Sequence, residues 1–172
     1  VLGLCLKPIT HRYVKLILIE VITATNFKNS SKILSFMKVK IKRLDKSIPL
    51  PIYQTKGSVG FDISAREDTI VPPKSVGIIP GNIIVETPPG YMLLLALRSS
   101  TPRKKGLHKP HGIGVIDNDY RGEKDEIGIQ VFNSTDSEVK VEKGERIGQG
   151  IFVKVDKFEW DEVEQMGESR GG

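Results

Sequence analysis

From Met37 the chain alternates, with Met37, Val39, Ile41 and Leu44 set among Lys38, Lys40, Lys42 and Arg43. A period of two is the mark of a half-buried strand, so a first strand is expected here. Gly60-Phe61-Asp62-Ile63-Ser64-Ala65 predicts a second, short strand with an acidic residue inside it. Pro72-Pro73, Pro80-Gly81 and Pro88-Pro89-Gly90 then break the chain at intervals of about eight residues, with apolar runs between them. Met92 to Leu97 is almost unbroken apolar sequence and predicts a strand buried on both faces. Gly112–Ile116 and Ile127–Phe132 are rich in β-branched and aromatic residues and predict a hairpin with its functional groups at the tip. Val139–Val141 and Ile151–Val155 alternate again on either side of Glu142-Lys143-Gly144-Glu145 and predict a second hairpin. Helical periodicity is weak and no internal repeat is present. Short strands at this spacing point to an all-β antiparallel sandwich or barrel.

Residues 1–36 read differently. Val14 to Thr23 is apolar, but Lys15 and Glu20 interrupt it. The run is too short and too charged to span a membrane, and no clean small-residue cleavage site follows it. Met37 is the expected native start, with residues 1–36 an upstream extension, non-native or disordered, or else a targeting or docking segment. The organisation expected is an extension over 1–36, a β domain over 37–165, and the start of a mobile arm over 166–172.

Charge changes this picture only in its location. The net charge is +5, yet residues 1–50 carry ten Lys/Arg against Glu20 and Asp45. That excess of +8 leaves −3 for residues 51–172, since 5 − 8 = −3. The basic pI belongs to the N-terminal region and does not make the folded part a nucleic-acid binder. A single cysteine, Cys5, rules out an internal disulfide and favours a reducing compartment. A cytoplasmic location is expected, with nuclear and organellar ones left open.

Several chemistries are set aside. There is no Gly-x4-Gly-Lys-[Ser/Thr] loop and no dinucleotide fingerprint. His108 and His111 have no Cys or third His near them in sequence to complete a zinc site. No Ser or Cys stands in a recognisable motif with a His. The notable stretch is Gly114-Val115-Ile116-Asp117-Asn118-Asp119-Tyr120-Arg121-Gly122-Glu123. Asn118 and Asp119 favour a tight turn. Asp117 could take a proton from water and Tyr120 could lie flat against a sugar. A solvated acidic turn, with Tyr120 capping the core, fits the same residues.

Gly-Val-Ile-Asp-x-Asp-Tyr-Arg-Gly resembles the third signature motif of the trimeric dUTPases, the deoxyuridine triphosphate nucleotidohydrolases. Four further segments fall in that family's order. They are Gly60–Ala65, Arg98-Ser99-Ser100, Gly144-Glu145-Arg146-Ile147-Gly148-Gln149, and a fifth that begins at Arg170-Gly171-Gly172, where the sequence stops. Each is weak alone; the ordered set is specific, and it covers roughly residues 37–172. The family's second motif is usually Pro-Arg-Ser-Gly, so Leu97 and Ser100 are departures, and Gly148 stands where alanine is usual. In the family the fifth motif continues through a Phe-Gly-Ser-Thr-Gly-like tail that this sequence does not include, so the ring that covers uracil is not assigned to a residue.

The resemblance implies a homotrimeric, jelly-roll-like β-clip with active sites shared between subunits. It implies hydrolysis of dUTP to dUMP and pyrophosphate, assisted by Mg²⁺. Asp117 would orient and deprotonate the water that attacks the α-phosphorus. Arg98, Ser99 and Ser100 would hold the phosphates, with Gln149 at the phosphate end and Arg170 a candidate phosphate ligand. The backbone of Gly114, Val115 and Ile116 would pair with the uracil edge. Tyr120 would stack beneath the deoxyribose and leave no room for a 2′-hydroxyl. Asp62 would stand near the metal, acting through water. Neither a membrane nor nucleic acid is expected as a partner. Two rivals remain: a dCTP deaminase-type relative, and a non-catalytic regulatory or interaction protein on the same fold.

Overall fold

The computed structural model describes residues 37–171; the expected extension over 1–36 lies outside them. One compact unit begins at Val39. Eleven strands and one short helix are present among the described residues. In order the strands are β1 (Ile41–Arg43), β2 (Phe61–Ser64), β3 (Thr69–Val71), β4 (Val76–Pro80), β5 (Ile83–Val85) and β6 (Tyr91–Leu97). Helix α1 (Ser100–Lys105) follows, and then β7 (Leu107–His108), β8 (Gly114–Ile116), β9 (Gly128–Asn133), β10 (Val139–Val141) and β11 (Arg146–Lys154). Every pairing is antiparallel. One sheet runs β2-β11-β6-β8, another β4-β9-β7, and β1-β5 and β3-β10 form two-stranded ribbons. No helix among the described residues is long and apolar enough to cross a membrane.

Alternation explains the core. Phe61 and Ile63 point inward from β2, Leu93 and Leu95 from β6, Ile129 and Val131 from β9, and all are buried. Ile79, Ile83, Val71, Val141 and Ile147 complete the same cluster. Two inward positions of β11, Gly148 and Gly150, are glycines for a spatial reason. A Cβ on Gly150 would stand 2.5 Å from the Phe61 ring and 3.0 Å from Leu93. The ring therefore fills the space above the strand and packs on Phe152 at 5.7 Å.

The structure departs from the sequence expectations at three places. Gly114–Ile116 does not pair with the strand that follows it: β8 lies against β6, while β9 lies between β4 and β7. Residues 117–127 are thus a connection between two sheets, not a hairpin tip. Val139–Val141 pairs with β3, and the following strand pairs with β2 and β6, so the second hairpin is also absent. The turn between them redirects the chain, because the Ala65 backbone holds it on both sides: Gly144 N donates to Ala65 O at 2.8 Å and Ala65 N to Glu145 O at 2.9 Å. Period-two alternation says which face of a strand is buried and not which strand it meets. Third, β6 is fully buried on one face only. Leu93 and Leu95 are covered, whereas Met92, Leu94 and Ala96 on the other face keep intermediate exposure.

Gly150→Ala is expected to overpack the Phe61–Leu93 contact and destabilise the fold by about 1–3 kcal/mol, a loss measurable by urea unfolding. Unchanged stability would mean that the ring can move aside without cost.

Candidate active site

At one end of the large sheet, Arg98 follows the last residue of β6 and Arg146 opens β11. Between them stands Asp62, on the middle of β2 and opposite Gln149 in register. Arg98 Nε lies 2.9 Å from Asp62 Oδ1, and Arg146 Nη1 lies 3.1 Å from Asp62 Oδ2. The Asp62 side chain is only 12% exposed. A register shift between Arg146 and Gly148 makes this meeting possible. Gln149 faces outward and Gly148 inward, toward Ile129, so strict alternation would turn Ile147 outward and Arg146 inward. The bulge instead keeps Ile147 buried and puts Arg146 on the outer face with Asp62. Gln149 donates from Nε2 to Leu97 O at 3.0 Å, which fixes its amide on the same face.

Helix α1 starts beside Arg98. Ser99 is its N-cap residue, but its hydroxyl makes no cap hydrogen bond, and it is exposed. Arg98, Ser100, Thr101, Lys104, Lys105, Glu145 and Arg146 share one polar cleft. Lys105 is committed to Glu145 at 2.9 Å. Arg98, Lys104 and Arg146 leave the cleft positive, as a polyanion requires. The sequence expectations named Arg98, Ser99, Ser100 and Gln149 here but not Lys104 or Arg146. Arg146 lay inside a quoted motif, and only the bulge reveals its direction.

Asp117 is elsewhere. Ile116 pairs with Leu93, so Asp117 emerges beside Met92, and the two line one cleft with Tyr91, Asn118, Asp119 and Lys157. Met92 to Arg98 is six residues of one strand and its end. At about 3.3 Å per residue, Asp117 is on the order of 20 Å from Arg98 and Ser99. Tyr120 shares the Asp117 turn, with its N–H reaching Asp117 O at 3.4 Å. Its hydroxyl donates to Glu126 O at 3.2 Å, and its ring stays 40% exposed. Arg121 bonds Glu86 at 2.9 Å, Glu86 in turn bonds Lys40 at 3.1 Å, and Lys42 pairs with Glu123. These contacts tie the turn to β5 and β1. Strand β8 is an edge of its sheet, so its outer N–H and C=O groups have no strand partner. Gly114 is buried over Leu95, Ile116 is half-buried, and Val115 is exposed. Arg170 is exposed in the irregular tail and lines neither cleft.

One chain therefore carries a cationic cleft at one end of β6 and an acid-bearing turn beside an open backbone edge at the other. Among the described residues no group of three or more His, Cys, Asp or Glu side chains is disposed to hold a metal ion. Asp62, expected near the metal through water, accepts one guanidinium contact on each oxygen.

Fold and clefts together define a nearly all-β antiparallel protein with one cationic and one acid-bearing cleft. The family model described as dUTPase matches residues 46–172. The deoxyuridine 5'-triphosphate nucleotidohydrolase of Helicobacter pylori strain J99 is 38% identical over 136 residues, 79% of this chain and 92% of that protein. The same enzyme of Lactococcus lactis strain IL1403 is 38% identical over 138 residues, 78% of this chain and 92% of that protein. Among solved structures, the Streptococcus mutans dUTPase superposes with a TM-score of 0.64 at 31% identity, covering 70% of this chain and 98% of that one. The staphylococcal phage 80alpha dUTPase with dUpNHpp superposes at 0.68 and 26% identity, covering 76% and 90%. The chain belongs to the dUTPase family.

Proposed function

We propose that this protein hydrolyses dUTP to dUMP and pyrophosphate, at active sites built between copies of the chain in a homotrimer. The observation that carries the shared site is the separation of the two clefts along β6. A general base must reach its water at about 3 Å, and that water must reach phosphorus. The phosphate clamp must touch the same triphosphate at hydrogen-bonding distance. Groups on the order of 20 Å apart cannot do both within one chain. The half-exposed apolar face of β6 and β11, with Met92, Leu94, Ala96, Ile151 and Val153, gives a second copy something to cover.

In this reading Arg98, Arg146 and Lys104 of one chain receive the triphosphate, with Ser99 and Ser100 beside them. Gln149 lies at the same end. A second chain brings Asp117, Tyr120 and the β8 edge. Asp117 accepts a proton from water, and the oxygen attacks the α-phosphorus in line. The bond from that phosphorus to the α–β bridging oxygen breaks, and its electron pair leaves with pyrophosphate. Ser99, with an uncommitted hydroxyl, is placed to donate to that oxygen. Mg²⁺ belongs to the substrate here: it travels on the phosphate oxygens, where a triphosphate binds it best. The β8 backbone reads the uracil edge, and the Tyr120 ring packs on the deoxyribose and crowds a 2′-hydroxyl. Arg170 would close over the phosphates from the tail. Neither a deaminase nor a non-catalytic role has a comparable observation in its favour.

Asp117→Asn is expected to slow turnover by ~10²–10⁴-fold while a non-hydrolysable dUTP analogue still binds, as steady-state kinetics and calorimetry on one preparation would show. Asp119→Asn is the control and should stay within a few-fold of the parent. The assignment of the base is wrong if Asp119→Asn loses turnover and Asp117→Asn keeps it. Tyr120→Ala should lower the ratio of kcat/KM for dUTP over UTP; an unchanged ratio removes Tyr120 from sugar recognition.

A further inference from the structure

We infer that Asp62 is a positioning residue for the two phosphate-binding arginines and that Arg146 is a direct phosphate ligand; this rests on the reading that the cationic cleft receives the triphosphate. A carboxylate in a polyanion site is a paradox on charge alone, since it repels the ligand. Its geometry resolves the paradox. Asp62 accepts from Nε of Arg98 with one oxygen and from Nη1 of Arg146 with the other, at 2.9 and 3.1 Å. Each guanidinium carries five N–H donors in a rigid fork. One contact to Asp62 fixes the plane of the fork and leaves its remaining donors for the cleft that Arg98 and Arg146 both line.

The rest of the local structure serves the same alignment. The β-bulge at Ile147 turns Arg146 onto this face, as described above, and the residue would otherwise point into the core. Asp62 itself is held mid-strand on β2 between fixed neighbours, Phe61 and Ile63, which are both buried. A side chain so held, with one guanidinium on each oxygen, acts as a template. Without it, two like charges brought to one cleft would separate and splay into solvent. The triad has a net charge of +1, and the two forks remain aimed when no anion is bound. The ordering of two long side chains is then complete before the substrate arrives, which favours binding. Direct ligation of a metal by Asp62 would compete with a guanidinium on either oxygen.

The test is metal-free. Inorganic tripolyphosphate is titrated calorimetrically into the full chain in excess EDTA, for the parent, Asp62→Asn, Arg146→Lys and the double variant, with melting curves run alongside. Removing a negative charge should tighten anion binding if charge were all that mattered. Positioning predicts the opposite: Asp62→Asn binds roughly tenfold more weakly without Mg²⁺. Arg146→Lys keeps the charge, loses the fork and weakens binding to a similar degree. The double variant binds more weakly than Arg146→Lys, because Arg98 also loses its alignment, but by less than the two single losses combined, because part of the Asp62 effect runs through Arg146. In turnover assays, the Mg²⁺ concentration giving half the maximal rate should not move in Asp62→Asn. Equal or tighter metal-free binding by Asp62→Asn, with a defect only in Mg²⁺ dependence, would overturn the inference and restore a metal role. If Asp62→Asn does not fold, Arg146→Lys decides alone, and an unchanged affinity overturns the inference. Failure of the parent protein to bind tripolyphosphate at all would instead remove the reading of the cleft as a phosphate site.

Discussion

The structure depends on the pairing of β6 with its two neighbours. On one side β11 runs antiparallel to it from Lys154 against Tyr91 to Gly148 against Leu97. On the other, β8 pairs with only its middle, Leu93 to Leu95. A sheet of fixed rise then decides where everything functional stands. Arg98 leaves β6 at one end, and the chain returns through α1 and β7 so that Asp117 leaves β8 toward the other. Backbone hydrogen bonding sets that separation, and no side-chain rearrangement closes it. The core supports the same rungs from below, with Phe61, Leu93 and Leu95 packed where Gly150 leaves room.

The electrostatics divide along the same axis. Cations gather where the sheet ends in two arginines and a lysine-rich helix turn. The far end carries Asp117 and Asp119 on a turn anchored by Arg121 and Glu86. The anchoring pairs are exposed and each contributes little by itself, about 0–1 kcal/mol. Together they link the turn to β5 and β1. The Asp62 triad is different in kind, since its carboxylate is nearly buried and both its oxygens are used. Exposed pairs join the acidic turn to β5 and β1, and the shielded Asp62 joins the two arginines at the cationic end.

Much of this was legible in the residues. The alternation at Gly60–Ala65, the proline breaks and the apolar run at Met92–Leu97 foretold an antiparallel all-β fold, and the motif at Gly114–Glu123 foretold the family. Strand partners were not legible. Val115 and Ile129 each announce a strand, but nothing local says that one joins β6 and the other β4 and β7. Helix α1 was missed because six residues hold less than two turns and show no periodicity. Arg146 was missed because a bulge reverses the face that alternation assigns. The double burial expected of Met92–Leu97 was half visible in one chain. Its second face, with Met92, Leu94 and Ala96, stays half-exposed.

The central claim is that no single chain holds a complete site, and mixing two inactive chains tests it most directly. Asp117→Asn lacks the base and Arg98→Gln lacks the clamp, so each alone should be nearly inactive. Unfolded together in equal amounts and refolded, they assemble at random. A site that takes Asp117 from one chain and Arg98 from another is then intact in about one case in four. Activity on dUTP should return to about a quarter of the parent level, while separately refolded samples mixed afterwards without subunit exchange stay inactive. No recovery in co-refolded trimers would mean that Asp117 and Arg98 serve one site within one chain, contrary to the register of β6.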